Sequence, residues 1–300
     1  MKIYVRLILT ALFWGGTFVA GKIAARNVGS FSISFLRFAI ASALLLGLTW
    51  KIEGGLPRLR KHQILHITLL GLIGIATYNV LFYKGLNIIE ASRASLIIAT
   101  CPIFITLCSA VFLKEKITLV NVMGIVISVF GASIVISKGN IRQIFDGGLG
   151  RGELYIFCCV LCWVTYSLIG KTVMKTLSPL ASVSYSSVVG AVALFIPACF
   201  EGMIRNIPHQ SMTDWVCISY LGVFGTVIGF VWYYHGVEQL GPTKAGLFIN
   251  FVPIFAILSA FLILHEPITV SLAVGAVLVI SGVCLTNRRA RGSIWTKNVK

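Results

Sequence analysis

Acidic residues are scarce in this chain: Asp and Glu together number nine in 300 residues, against 25 Lys and Arg. All charged residues amount to 11%, where a soluble domain carries roughly a quarter to cover its surface. That shortage excludes an ordinary soluble enzyme or binding module. The five His are scattered and none sits beside a plausible nucleophile, so no cluster of acid, base and nucleophile reads as catalytic. A phosphate-binding loop is also missing: Gly170-Lys171-Thr172 resembles its end, but Thr165 stands where the upstream glycine is required. Metal-ligand spacing fails in the same way. Cys158-Cys159-x-x-Cys162 has no second Cys or His cluster to complete four zinc ligands. All eight cysteines fall inside apolar runs, where Cys packs as a small, soft hydrophobe. Neither a metal nor a cofactor is expected.

What the chain has instead is hydrophobicity, 57% of residues with a mean hydropathy of +0.94. Crossing about 30 Å of hydrocarbon takes about 20 mostly apolar residues, and such runs recur almost end to end. Spans are read at 4–24, 31–51, 63–84, 92–113, 118–137, 152–172, 179–200, 212–235, 243–264 and 268–287. All should be helices, because hydrocarbon cannot satisfy backbone polar groups and a helix satisfies them internally. Lys2 and Arg6 before the first apolar run suggest a signal peptide, yet that run matches a later internal span and is kept as a mature helix.

The net charge of +16 is spread singly or in small groups between the spans, as at Lys51, Arg58, Arg60 and Lys61, which is how loop charges orient a membrane protein. No nucleic-acid partner is expected. With both ends inside, the inner segments hold about twice as many Lys and Arg as the outer ones. The expectation is a multi-pass protein of the cell's inner membrane with cytoplasmic N- and C-termini, and a basic tail over 288–300 that serves as a topology anchor or touches anionic lipid.

An internal repeat orders the spans. Leu70-Gly71-x-x-Gly74, Tyr83-x-Gly85, Ala94, Pro102-Ile103-Phe104, Glu115-x-Ile117-Thr118, Gly124 and Gly131 recur as Leu221-Gly222-x-x-Gly225, Tyr234-x-Gly236, Ala245, Pro253-Ile254-Phe255, Glu266-x-Ile268-Thr269, Gly275 and Gly282, always 151 residues later. Trp14 and Gly21-Lys22 match Trp163 and Gly170-Lys171 at an offset of 149. The chain therefore divides into a first five-helix repeat (1–137), a Gly-rich linker (138–151), a second five-helix repeat (152–287) and the tail (288–300). Five is odd, so the halves insert with opposite orientation, an arrangement that recurs in transporters with the substrate site between halves. The fold class expected is an all-α integral membrane protein, ten transmembrane helices as two inverted five-helix repeats around a central cavity.

These residues resemble the drug/metabolite transporter superfamily in its ten-helix EamA branch. The resemblance covers roughly 7–286. It rests on the repeat, on Trp14-Gly15-Gly16-Thr17-Phe18, on Phe35-x-Arg37-Phe38, and on Pro242-Thr243-Lys244-Ala245-Gly246-Leu247 continuing through Asn250 and Pro253 to Glu266-Pro267-Ile268-Thr269. It implies two inverted bundles around a cavity formed mainly by spans 1, 3, 4, 6, 8 and 9, and export of amino acids, drugs or related metabolites, without specifying which.

Several residues stand out against that frame. Pro102 and Pro253 lie near the centres of spans four and nine, where a missing N–H should kink each helix as a hinge or as a packing bend. Asn250 sits one turn before Pro253 where the first repeat has Ala99, and a mid-membrane amide either binds solute or bonds a neighbouring helix. Trp14, Tyr78, Asn79 and Trp163 are substrate-binding candidates by depth or repeat position, with packing as the competing account. Arg37, about six residues inside span two, either snorkels to the outer surface or serves an anion-binding or gating role. Lys22 and Lys171 read as anchors, Glu115 and Glu266 as caps or turns. No carboxylate falls in the middle of a span, so proton coupling lacks a candidate.

The function expected is a secondary transporter exporting amino acids or related compounds by alternating access. Its partners are a small-molecule substrate and the lipid bilayer, and a monomer suffices. A channel or receptor-like scaffold is the alternative; an intramembrane lipid enzyme would need chemistry absent here.

Overall fold

The computed structural model describes residues 2–113, 118–137, 150–240, 245 and 248–286. Glu115, the Pro242-Thr243-Lys244 and Gly246-Leu247 positions, most of the linker and the basic tail lie outside them. Among the described residues there is no strand. Helices α1 (Lys2–Ala25), α2 (Ser30–Glu53), α3 (Lys61–Ile88), α6 (Leu119–Ile136), α7 (Arg151–Val173), α8 (Pro179–Phe200) and α9 (Met212–Gly236) are each long and apolar enough to cross a bilayer. So is the stretch Ala91–Cys108, which is divided into α4 (Ala91–Ile98) and α5 (Cys101–Leu113). Two further apolar helices, α10 (Val252–Leu264) and α11 (Val270–Thr286), are shorter, at 13 and 17 residues. The outer faces of α6, α8, α10 and α11 expose Val126, Val192, Leu262 and Val277 respectively. Against water such a surface would drive aggregation; against hydrocarbon it is the face that lipid tails solvate. The chain is a multi-pass membrane protein.

The prolines do more than kink their helices. Backbone turns at Ala99–Thr100 and Asn250–Phe251 interrupt the helical path, and Pro102 and Pro253 are each the second residue of the helix that follows. Proline offers no N–H to the carbonyl four residues back, here Ile98 and Ile249, and needs no N–H partner in a first turn, so the chain stops and restarts. Two irregularities were not foreseen from sequence. Helix α3 is π-helical over Leu70–Thr77, and α9 over Val223–Ile228. Such segments are rare and favour functional sites. Here they fall on matching stretches of the two repeats.

Packing is reciprocal. Helix α1 lies against α9 and α10, and α7 lies against α3, α4 and α5, while α2 packs on α8 and α6 on α11. The α6–α11 contact is close because Gly124 and Gly282 face each other: a Cβ on Gly282 would stand 2.6 Å from the Gly124 carbonyl oxygen. Helix ends are tied across the bundle by carboxylates. Glu201, at the end of α8, accepts from the N–H groups of Phe31 (3.3 Å) and Ser32 (2.7 Å) in the first turn of α2. Ser178, the N-cap of α8, in turn donates to Glu53 at the end of α2. A carboxylate at a helix N-terminus satisfies free N–H groups and the helix dipole, stabilising by about 0.3–1 kcal/mol when exposed and up to about 2 when partly buried.

Candidate functional site

The spans converge on a cavity of about 260 Å³, just under the roughly 300–1,000 Å³ of typical small-molecule sites. It is reached by α1, α3, α4, α5, α7, α9 and α10, with Arg37 from α2 and Ile280 and Val283 from α11. Both helix interruptions open onto it, through Ala99 and Pro102 on one side and Asn250 and Pro253 on the other. Irregular backbone is tolerated at membrane depth where it lines such a space.

Of the residues singled out from sequence, Trp14, Tyr78, Trp163, Asn250, Pro102, Pro253 and Arg37 all line this cavity. The aromatic ones fall in two ring clusters: the Tyr78 ring lies 5.7 Å from Trp163 and 5.9 Å from Phe82, and Trp14 lies 5.6 Å from Phe230. The Trp14 indole N–H donates to the carbonyl of Gly225 at 3.0 Å, inside the π-helical part of α9, which holds the ring flank toward the cavity. Asn250 is partly buried, and its Nδ2 donates to the Cys284 sulfur at 3.4 Å, a weak bond that commits little of the amide.

Asn79 differs from expectation, and Arg37 departs from one of its two alternatives. Asn79 is not part of the cavity wall; it is buried behind it and accepts a hydrogen bond from Arg37 Nη1 at 3.0 Å, while its own Nδ2 donates to the Ile75 carbonyl at 2.8 Å. Arg37 does not snorkel outward. It is 9% exposed, and its guanidinium turns into the protein, where Nη1 also donates to Tyr83 Oη at 3.0 Å and Nε to Thr226 Oγ1 at 3.1 Å. Snorkelling draws a side chain to water when its neighbours are apolar; here three acceptors on α3 and α9 hold it in place. Thr226 escaped sequence reasoning altogether. Its only sequence mark was adjacency to Gly225 of the repeat, since which face of α9 it occupies depends on the π turn.

The remaining charges lie at helix ends. Glu266 accepts from the Ala91 and Ser92 N–H groups at 2.8 and 3.0 Å and from the Ser92 hydroxyl, and lies 3.9 Å from Lys22 Nζ. It therefore caps α4, as its position in the repeat suggested. Arg93 is paired with Glu153 at 2.9 Å and with Glu90 at 3.6 Å. Among the described residues no group of three or more His, Cys, Asp or Glu is placed to hold a metal ion.

Comparison with known proteins places these features. A family model described as the EamA-like transporter family matches residues 1–137 and 150–288. The chain is 31% identical over 284 residues to the "Uncharacterized transporter YyaM" of Bacillus subtilis (strain 168), covering 94% of this chain and 92% of that one. It is 27% identical over 287 residues to the "Probable terminal-alkyne amino-acid exporter" of Streptantibioticus cattleyicolor, covering 95% and 93%. A crystal structure 16% identical in sequence superposes with a TM-score of 0.64, covering 95% of this chain and 98% of that one, which shows the shared fold.

Proposed function

The chain belongs to the EamA-like transporter family, and from that we propose that it is a secondary transporter exporting amino acids or related small organic metabolites by alternating access. The observation that carries the reading is the central cavity: spans from both halves of the chain meet around one space, both helix interruptions open onto it, and it contains a buried cation. A space of about 260 Å³ suits a solute of metabolite size. Its aromatic wall suits an apolar or planar body, and a relative is named as an amino-acid exporter.

In this reading the two halves insert with opposite orientation, and both termini face the cytoplasm from the inner membrane. Rocking of one half against the other then opens the cavity to either side. The π-helical stretches of α3 and α9 and the breaks at Ala99–Thr100 and Asn250–Phe251 are the places where backbone geometry can change without undoing a regular helix. Names of the relatives favour transport over enzymatic chemistry.

The test is solute flux. Purified protein in lipid vesicles, loaded with a mixture of amino acids and organic acids, should accelerate entry of at least one labelled member of that mixture over protein-free vesicles. Vesicles that remain as tight as the controls for the whole mixture would remove the reading.

A further inference from the structure

A guanidinium has five N–H donors and keeps its charge. In Arg37, Nε and both Nη1 donors are taken by Thr226, Asn79 and Tyr83. These partners are neutral, and among the described residues no carboxylate lies within 4.0 Å of Arg37. Nη2 makes no hydrogen bond among the described residues. The Phe38 ring, 5.1 Å from the guanidinium carbon, offsets part of the cost of burying this cation; an anion at the idle donor edge would offset more.

The geometry leaves room for that anion. Arg37 lines the cavity, and so do Gly225 and Thr17; Nη2 lies 3.8 Å from the point where a Cβ on Gly225 would sit, a point the Thr17 methyl already approaches to 2.6 Å, so the idle edge lies beside the Thr17–Gly225 part of the wall. The acceptor shell also sets the direction. Thr226 donates to the Leu221 carbonyl at 2.9 Å and Asn79 to the Ile75 carbonyl, so each turns a lone pair to Arg37 and together they fix the guanidinium plane. Elsewhere the wall is almost all apolar, and no Asp or Glu lines it among the described residues.

We propose that the solute carries a carboxylate that binds Arg37 through Nη2, attached to an apolar or aromatic body that the rings of Trp14, Tyr78, Phe82 and Trp163 enclose, and that an amino group is not needed for recognition. The inference rests on the transporter reading and narrows its substrate class. A single cation balances a single negative charge; a phosphate, with a charge of about −1.5 to −2, would leave an uncompensated charge in an apolar space. An ammonium would meet ring faces and the neutral Thr17, Ser95 and Asn250 side chains, with no carboxylate among the described lining residues to balance its charge and with Arg37 of like charge on the same wall.

The test uses compounds that share one body. Purified protein is titrated with 3-phenylpropanoate, 3-phenylpropan-1-ol, 3-phenylpropylamine, 3-phenylpropyl phosphate and phenylalanine, following the tryptophan fluorescence to which Trp14 and Trp163 contribute. The acid should bind about ten-fold or more tighter than the alcohol, the amine and the phosphate, since one charge-assisted bond is worth about that much. Phenylalanine should fall within about ten-fold of the acid. Arg37→Gln should erase the preference for the acid, and Arg37→Lys should keep part of it. If Arg37→Gln does not fold, the ranking on the native protein decides alone. An amine or alcohol that binds as tightly as the acid, a preference that survives Arg37→Gln, or no binding by any of the five overturns the proposal. Vesicle flux of neutral or cationic solutes with no preference for acids overturns it too, while leaving transport standing; no flux at all is failure of the transporter reading itself.

Discussion

The Ser128 hydroxyl donates to the Val279 carbonyl at 3.3 Å, and the two residues occupy the same position of the repeat, 151 residues apart. In a two-fold arrangement only residues on the axis meet their own equivalents. Around this point Gly124 abuts Gly282, and Gly131 abuts Gly275, which exchanges the two repeats and runs α6 antiparallel to α11. An axis lying across the two helices produces that pattern, and the proposed inverted repeats would have such an axis.

The proposed topology has halves of opposite orientation and both termini in the cytoplasm. Reporter fusions placed after Lys61 and at the C-terminus are expected to report cytoplasm, and a fusion at Gly147 the opposite side. Cytoplasmic activity at Gly147 would mean that the first half holds an even number of crossings and that the halves are not inverted.

The α6–α11 seam should be intolerant of volume. In Gly282→Ala the new methyl would stand 2.6 Å from both the Gly124 carbonyl oxygen and the Ser128 nitrogen, backbone atoms that cannot swing aside. Overpacking of this kind costs about 1–3 kcal/mol, so the variant should lose its fold at a distinctly lower temperature in detergent. An unchanged melting temperature would show that the helices part easily and that the seam is not a rigid contact.

Asn250→Ala is expected to lower transport about ten-fold, the equivalent of one lost hydrogen bond of about 1.4 kcal/mol, with expression and melting behaviour close to native. Its one hydrogen bond among the described residues is to a sulfur at 3.4 Å, so little packing energy is at stake. Misfolding with undiminished flux per folded molecule would assign the amide to helix packing instead.

Energy coupling is expected not to require a proton. The carboxylates whose side chains are described, Glu53, Glu90, Glu153, Glu201, Asp214 and Glu266, sit at helix ends in capping or ion-pair contacts. Moving one charge across the membrane potential is worth about 2.3 kcal/mol per 100 mV, enough for a gradient of roughly fifty-fold, so coupling would be easy to see. Labelled solute should equilibrate at similar rates with and without an imposed pH gradient. Accumulation that a protonophore abolishes would reverse this and direct attention to Glu115, Glu266 or His235, whose ring nitrogen lies 2.8 Å from Gln239 Nε2.

Much of this was legible in the sequence because the bilayer permits few solutions. Apolar runs of span length must be helices, and recurring Gly, Pro and Glu at a constant offset expose the repeat without reference to contacts. Pro102 and Pro253 marked where the helical path is disturbed, since a residue without an N–H kinks or breaks a helix; packing decided which, because Pro197 stays inside α8. The polar face of the site was decided only by packing. Whether Arg37 reaches outward or inward depends on acceptors supplied by Asn79, Tyr83 and Thr226, 42 to 189 residues away in the chain. The π-helical turns that aim α3 and α9 have no local composition to announce them. A hydrogen-bonded charge takes its direction from the partners that the fold brings within about 3 Å, and that information lies in no single stretch of sequence.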